Sequence, residues 1–288
     1  MHSSETTRLL GYPDNTRLLI INADDFGLCH GSNEATLRAW RDGVVTSTSL
    51  MVPCPWFPHA IQILRENPDL PFGVHLVMIR EFDVYRWGPV SPATMVPSLV
   101  DPRGHFLDDN TQRDELVARA DLREVEIEFR AQIDTVVQAG LRPTHLDFHC
   151  IADGGREDIF ELTVNLAREY GLALRVHFDH HQAALRSRGL PVNDHPVLDS
   201  YTMDPATKHE EYIRLLRELP AGLSEWAVHP SLGNDETRAL EPGSWRIRKA
   251  DLDFVTSADA RRVIDEEGIV LVDYRALQAA WSAANHTS

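Results

Sequence analysis

Short apolar segments and amphipathic segments alternate along nearly the whole chain. The apolar segments are rich in β-branched residues, which indicates strands, and the segments between them carry helical periodicity. Strands that alternate with helices pair in parallel, with the helices covering the sheet. Seven to eight strands over roughly 250 residues favour a closed or distorted barrel over two smaller domains. We therefore predict an α/β fold: a single-domain, distorted (β/α) barrel of seven to eight parallel strands.

The predicted domain spans residues 1–288, with its core at about 17–284. The predicted strands are 18–22, 44–51, 70–76, 144–148, 172–176, 223–228 and 269–272, with a short one at 196–198. The predicted helices are 32–41, 59–66, 114–138, 158–170, 204–218, 257–267 and 274–284. Residues 177–200 and 230–256 are expected to be mostly irregular. A long inserted loop is expected at 77–113, of the kind that often binds substrate or forms a lid.

Charge and cysteine content restrict the class of protein. The net charge of -16 argues against nucleic acid and anionic membranes as partners. The three cysteines, with no C-x-x-C pair, indicate reduced thiols, and Cys150 is expected to be an inert apolar side chain. The N-terminus has no apolar signal-peptide region and no segment is long enough to span a bilayer. We expect a cytoplasmic protein.

The first strand ends in two adjacent carboxylates, within the segment LLIINADDFG. Asp24 and Asp25 follow a buried apolar run directly, before Gly27 interrupts the strand. Carboxylates at the end of a buried strand are costly unless a cation faces them. A metal ion is the usual cation. The alternative is that one of the two carboxylates caps the following helix or turn.

Other ionisable residues follow the later strands in the same way. In parallel β/α folds, the carboxyl ends of the strands meet at the edge where chemistry takes place. The segment THLDFH places its alternate residues on one face of its strand because side chains alternate with period two. The candidates at this edge, besides the two aspartates, are His75, His145, Asp147, His149, Arg175 and His229.

Each candidate also has a structural interpretation. His75 alone is more often a hydrogen-bonded core residue than a ligand. His145 and Asp147 would pair with each other or orient neighbouring ligands. Arg175 would pair with a structural carboxylate, and His229 would be an ordinary strand-end residue. The metal hypothesis depends on all of these residues falling at one predicted edge.

The motifs NADDFG, VTSTSLM, GVHL, PTHLDFH and a late strand ending in HP resemble, in this order, the YdjC family of carbohydrate deacetylases (the ChbG/HpnK type). The resemblance covers about residues 17–275. It implies a distorted (β/α) barrel and a metal-dependent N-deacetylase that acts on acetylated amino sugars.

The resemblance also implies the roles of individual residues. Asp25, His75 and His149 would hold one divalent metal ion. Asp24 would be the catalytic base and His229 the general acid. His145, Asp147 and Arg175 remain candidates for supporting the ligands or contacting substrate. On ligand softness two imidazoles and a carboxylate favour zinc, cobalt or manganese, whereas the resemblance implies magnesium, so Mg²⁺ and Zn²⁺ both stay open.

The predicted function is removal of an acetyl group from an N-acetylated sugar or related amine. Chitooligosaccharide-type members continue the fourth-strand motif as HLDSHHH, but this chain reads HLDFHC, so we expect a substrate other than a chitin oligosaccharide. Two rival functions stay open: a metal-dependent phosphoesterase and a non-catalytic sugar-binding protein. The region of Tyr85 and Trp87 is expected to be an exposed sugar platform or homodimer contact, or else to hold a buried Trp87.

Overall fold

Eight strands form one parallel sheet in the computed structural model, which describes residues 5–285. The strands are β1 (Arg17–Phe26), β2 (Ser47–Leu50), β3 (Phe72–Leu76), β4 (His145–Phe148), β5 (Ala173–Leu174), β6 (Leu198–Asp199), β7 (Gly222–Val228) and β8 (Val270–Leu271). Their order is β5-β4-β3-β2-β1-β7-β6. Strand β8 lies off this path and pairs with β1 at Leu18 and Leu19, before the residues of β1 that pair with β2. Within the described residues β5 and β6 do not pair, so the sheet is a curled, open barrel. The predicted fold class is confirmed.

The central strand β1 explains how the core forms. Its alternate side chains enter two different apolar clusters: Leu18 and Ile20 pack in one, and Leu19 and Ile21 pack in the other. All four are essentially inaccessible to solvent. A side chain of this size gains about 1.5–3 kcal/mol on full burial. The strand is therefore apolar on both faces and contributes to both clusters.

Within residues 5–285, twelve α-helices surround the sheet. They are α1 (Glu5–Leu9), α2 (His30–Arg41), α3 (Phe57–Glu66), α4 (Asp109–Arg119), α5 (Leu122–Gln138), α6 (Glu157–Tyr170), α7 (Asp179–Ser187), α8 (Lys208–Arg217), α9 (Asp235–Leu240), α10 (Trp245–Val255), α11 (Ala258–Glu266) and α12 (Tyr274–Asn285). Short 3-10 turns occur at Ala93–Met95 and Ala152–Gly155. Over residues 5–285, none of the helices has both the length and the apolar composition needed to cross a bilayer.

The single helix predicted at 114–138 is wrong, because two helices occupy this region. Ala120 has a non-helical backbone (ψ 120°) and interrupts the helical hydrogen bonding. The side chain of Asp121 then accepts hydrogen bonds from the N–H groups of Arg123 and Glu124, which starts α5. The apolar periodicity continues across this break, so it does not predict that a new helix begins after Asp121.

Two stretches predicted to be irregular contain helices. Residues 177–200 include α7, and residues 230–256 include α9 and α10. Neither α7 nor α10 has a side-chain hydrogen bond at its N-terminal cap, so the usual start signal is missing. Their buried faces, with Leu185 in α7 and Leu252 and Phe254 in α10, stabilise them by packing against the barrel.

The segment 77–113 is packed against the barrel. Glu128 of α5 accepts hydrogen bonds from the backbone N–H groups of Val90 and Ser91, at 2.9 and 3.0 Å. Trp87 is 2% exposed, so the expectation of an exposed tryptophan is wrong and its buried alternative applies. The Trp87 ring lies 6.2 Å from the ring of His149. The segment therefore forms part of the wall around the predicted site.

Candidate metal centre

The end of β1 places both of its carboxylates at one edge of the sheet. A regular strand would point Asp24 and Asp25 to opposite faces. Asp25 instead has φ 65°, in the left-handed region, and the pairing of β1 with β2 shifts register between Ala23 and Phe26. This bulge lets each carboxylate place an oxygen within 4.8 Å of a nitrogen of His75. Local backbone strain is thus part of how the site is built.

Neighbouring strands position the first imidazole. His75 of β3 is in register with Asp147 of β4, and the His75 Nδ1 lies 2.8 Å from Asp147 Oδ1. The other nitrogen, Nε2, lies 3.4 Å from Asp25 Oδ1. Asp147 therefore fixes the ring by one nitrogen and leaves the other directed toward Asp25. A carboxylate on the far nitrogen is the usual support for a metal-binding histidine.

His149, just beyond the end of β4, approaches the same oxygen from another side. Its Nδ1 lies 3.3 Å from Asp25 Oδ1, and its Nε2 lies 3.2 Å from Glu81 Oε2. The rings of His75 and His149 are 5.2 Å apart and nearly perpendicular. Both imidazoles thus present one nitrogen to Asp25 and the other to a separate carboxylate.

The residues at this point have the properties of a cation site. Asp25 Oδ1 is buried and accepts no hydrogen bond among the described residues, although two ring nitrogens lie within 3.4 Å. Donor atoms of Asp25, His75 and His149 all lie within 4.8 Å of one another. Carboxylate oxygen and imidazole nitrogen are suitable ligands for several divalent ions. The donor set therefore fits a divalent metal ion.

Two buried arginines balance the carboxylates around the cluster. Arg175 contacts Asp24, Asp147 and Glu225, and Arg248 contacts Asp25, Glu81 and Glu241. Each guanidinium is thus shared by three carboxylates, which leaves an excess of negative charge. Such an excess in a buried site favours binding of a further cation.

The pKa values of the cluster reflect this charge. Burial by itself raises the pKa of Asp25, but Arg248, His149 and His75 lower it well below its ordinary value. Burial also raises the pKa of Asp24, but Arg175 outweighs that effect and lowers it. For His75, burial lowers the pKa, whereas Asp147, Asp25 and Asp24 together raise it to about 9. The carboxylates are therefore ionised at neutral pH and attract positive charge.

Three predicted residues lie around this cluster. Arg175 binds Asp24, as described above. His145 is fully buried, its Nδ1 lies 3.0 Å from Thr144 Oγ1, and its ring stacks on Tyr274 at 3.6 Å. Its Nε2 lies 3.7 Å from Asp147 Oδ2, so it packs behind the residue that orients His75.

His229 stands apart from the three clustered residues. Its backbone N–H donates to Asp251 Oδ2, and its ring lies 5.2 Å from the ring of Tyr201. Arg248 packs over that same tyrosine ring at 5.3 Å and also binds Asp25. The Nδ1 of His229 is buried and has no hydrogen-bond partner among the described residues. His229 therefore borders the cluster through Tyr201 and Arg248.

The sequence prediction missed Glu81, Glu225 and Arg248. Glu225 is a lone charged residue in the apolar strand β7, which is a signal that a buried partner exists. Arg248 lies on α10, in a stretch predicted to be irregular, and Glu81 lies in the long segment after β3. Neither residue directly follows a strand, so the search of strand ends did not identify them.

The fold is thus a parallel β/α barrel that carries a candidate metal site, made of one carboxylate and two imidazoles, at the carboxyl edge of its strands. The model of the YdjC-like protein family matches residues 18–266. The chain belongs to the YdjC-like family. A carbohydrate deacetylase from Enterococcus faecalis is 30% identical over 277 residues, covering 91% of this chain and 99% of the relative.

Further relatives extend this comparison. A chitooligosaccharide deacetylase from Yersinia enterocolitica is 36% identical over 265 residues, covering 90% of this chain and 98% of the relative. A crystal structure from Enterococcus faecalis V583, described as a cellobiose-phosphate cleavage protein, superposes with a TM-score of 0.78. That structure is 30% identical, and the match covers 91% of this chain and 99% of the other. The predicted family is confirmed.

Proposed function

We propose that this protein is a metal-dependent carbohydrate deacetylase, which hydrolyses the acetamide of an N-acetylated sugar or related amine. The observation that carries the proposal is the buried Oδ1 of Asp25, which has no hydrogen-bond partner among the described residues although a nitrogen of His75 and one of His149 lie within 3.4 Å. Relatives named carbohydrate deacetylase and chitooligosaccharide deacetylase align over about nine-tenths of the chain, which supports the substrate class.

In this proposal Asp25, His75 and His149 hold one divalent ion through Oδ1, Nε2 and Nδ1. When bound there, such an ion would polarise the acetyl carbonyl and lower the pKa of water. His75 keeps its orientation through Asp147, which is itself held at 3.1 Å by Arg175 and backed by His145. Both Mg²⁺ and Zn²⁺ are candidates, since a carboxylate suits the first and imidazoles suit the second.

Asp24 acts as the general base. Its carboxylate is ionised at neutral pH because Arg175 lowers its pKa, and it shares His75 as a neighbour with Asp25. Arg175 binds both oxygens and so fixes the orientation of the carboxylate. The attacking water would give its proton to Asp24 as the new carbon–oxygen bond forms.

His229 acts as the general acid on the leaving amine. Its side chain is half-buried beside the cluster, and no protein group binds its buried Nδ1 among the described residues, so the ring is not committed to a structural hydrogen bond through that atom. The amine nitrogen must gain a proton as the carbon–nitrogen bond breaks, since an amide anion is a poor leaving group. Asp24 thus accepts a proton from the attacking water, and His229 donates a proton to the leaving amine.

The two rival functions have less support. A phosphoesterase needs cationic side chains for the phosphate, but Arg175 and Arg248 are each already shared by three carboxylates. A sugar-binding protein without catalysis would not need a buried acid cluster of this kind, although a fold alone never decides activity.

Acetate release from a panel of N-acetylated amino sugars, with and without a chelator, tests the proposal. The panel should include N-acetylglucosamine, chitobiose and acetylated monosaccharide phosphates. We expect chelator-sensitive acetate release from at least one compound, and none from an Asp25→Asn variant. Phosphate release from the phosphorylated members, or sugar binding with no acetate release, would overturn it in favour of a rival.

A further inference from the structure

A second compact group of donor atoms lies on the far side of His149. Glu81 Oε2 is 3.2 Å from His149 Nε2, Cys150 Sγ is 3.3 Å from that nitrogen, and Cys150 Sγ is 3.2 Å from Glu81 Oε2. One carboxylate, one imidazole and one thiol therefore form a triangle with nearly equal sides. This group uses the ring nitrogen that does not face Asp25.

The triangle matches the size of a metal site. Metal–nitrogen bonds of about 2.0–2.1 Å and metal–sulfur bonds of about 2.3 Å place neighbouring tetrahedral ligands roughly 3.3–3.6 Å apart. Thiolate and imidazole together select soft or borderline ions such as zinc over magnesium. The donor chemistry here is therefore softer than that of Asp25, His75 and His149.

Cys150 Sγ donates a hydrogen bond to Glu81 Oε2, so a metal ion bound in the triangle would replace that thiol proton. Arg248 binds the other oxygen of Glu81, Oε1, at 3.1 Å and so leaves Oε2 directed toward the triangle. Cys150 is half-buried and has φ 57°, which turns the chain sharply after His149. The Glu81 side chain is 16% exposed, so this side of the triangle lies near solvent.

We propose that Glu81, His149 and Cys150 form a second metal position, selective for soft divalent ions such as zinc. A neutral imidazole has a single lone pair, so His149 serves either this position or the one at Asp25, but not both. The consequence, which rests on the proposed function, is that an excess of a soft ion withdraws His149 from the catalytic centre and inhibits deacetylation.

Binding of Cd²⁺ to the full-length, chelator-treated protein tests the site without any measurement of activity. A Cys150–Cd²⁺ bond produces a thiolate-to-metal charge-transfer band in the ultraviolet, accompanied by release of the thiol proton. We expect a saturable band of one thiolate per chain in the wild type. In Cys150→Ser we expect the band to be lost, and in Glu81→Gln we expect Cd²⁺ affinity to fall at least tenfold.

Cys29→Ser is the matched control. Cys29 is buried and caps α2 through its sulfur, and serine is a good residue for that position. This variant should keep the full band. A band that persists in Cys150→Ser, or no band in wild type whose circular dichroism shows it folded, would overturn the second site.

A second measurement connects the site to catalysis. Zinc is added in excess to enzyme assayed with its best-supporting metal, and each variant is compared with its own uninhibited rate. Wild type and Cys29→Ser should be inhibited, and Cys150→Ser should need at least tenfold more zinc. If the same zinc concentration inhibits Cys150→Ser and wild type equally, the proposed competition for His149 is overturned. Failure of the deacetylase proposal leaves the Cd²⁺ titration unaffected, so the two failures are distinguishable.

Discussion

Arg175 binds Asp24 through two parallel hydrogen bonds, from Nη1 to Oδ2 at 2.7 Å and from Nη2 to Oδ1 at 2.8 Å. Asn22 adds a third hydrogen bond to Oδ1 at 2.7 Å. A bidentate guanidinium pair fixes the plane of a carboxylate as well as its charge. The base proposed for the reaction is thus held in one orientation before substrate arrives.

Replacing Asp24 by Asn should remove the base while keeping its shape. We expect kcat to fall by about 10²–10⁴-fold, the range for loss of a general base. Bound metal should remain at one ion per chain, because Asp25 and not Asp24 is the proposed ligand. Acetate release and metal content measure the two effects separately. Asp253→Asn, at an exposed position on α10, is the control, and full activity in Asp24→Asn would exclude the base role.

Replacing Arg175 by Met should destabilise the whole fold. The change leaves Asp24, Asp147 and Glu225 buried without their shared cation. Removing one partner of a buried ion pair costs about 3–5 kcal/mol. Urea unfolding monitored by circular dichroism measures this loss. A cost below about 1 kcal/mol, the range of exposed ion pairs, would show that these carboxylates are not truly desolvated.

Addition of a divalent ion to chelator-treated protein should raise its free energy of unfolding. An ion that binds only the folded state adds about 2.7 kcal/mol when its concentration is 100 times Kd. The increase produced by Mg²⁺ should be absent in Asp25→Asn, since Asp25 Oδ1, which has no hydrogen-bond partner among the described residues, is the shared ligand atom. Zn²⁺ can still stabilise this variant through Glu81, His149 and Cys150. Thermal unfolding with Mg²⁺, Mn²⁺, Co²⁺ or Zn²⁺ ranks the ions. An equal increase with Mg²⁺ in Asp25→Asn would place the bound Mg²⁺ elsewhere.

Replacing His229 by Asn should slow only the step in which the amine leaves. We expect a reduction of about 10²–10⁴-fold in kcat for an N-acetylated sugar. An acetanilide-type analogue with a weakly basic leaving amine needs less protonation, so its rate should fall much less. The ratio of the two rates is the measurement. Equal losses for both compounds would assign His229 to binding or structure.

Much of the candidate site followed from one physical rule. Parallel strands end at a common edge, so the ionisable residues after β1, β3 and β4 had to lie near one another. This rule placed Asp25, His75 and His149 in one predicted cluster, and their donor atoms do lie within 4.8 Å. Their roles as ligands stay a prediction.

Residues outside strand ends escaped that rule. Arg248 reaches Asp25 from a helix that has no capping side chain, and its contact spans 223 positions of sequence. Glu81 lies in a segment whose path depends on Glu128 binding the backbone at Val90 and Ser91. Periodicity reports local structure, so contacts set by tertiary packing alone leave no signal in it. Periodicity likewise gives no signal of the bulge at Asp25.

A last prediction concerns Asp153, in the turn after β4. Its carboxylate accepts hydrogen bonds from the backbone N–H groups of His177 and Phe178, at 2.9 and 3.0 Å, and lies 2.8 Å from the Nδ1 of His181. Burial by itself raises the pKa of Asp153, but the side chain and backbone N–H of His177 and the side chain of His181 outweigh it and lower the pKa below its ordinary value. The ionised carboxylate therefore stabilises the fold.

The sign of the pH dependence follows from this lowered pKa. A carboxylate whose pKa is lower in the folded state stabilises the fold above its unfolded pKa of about 3.9, and that stabilisation is lost as the pH falls. Asn is the matched replacement because it tolerates the left-handed backbone found at Asp153, φ 49°. At pH 6 we expect Asp153→Asn to unfold about 1–3 kcal/mol more easily than wild type. Urea unfolding from pH 6 to pH 3 should show this difference shrinking below about pH 4. A difference that stays constant over this range would show that the charge on Asp153 contributes nothing to the turn.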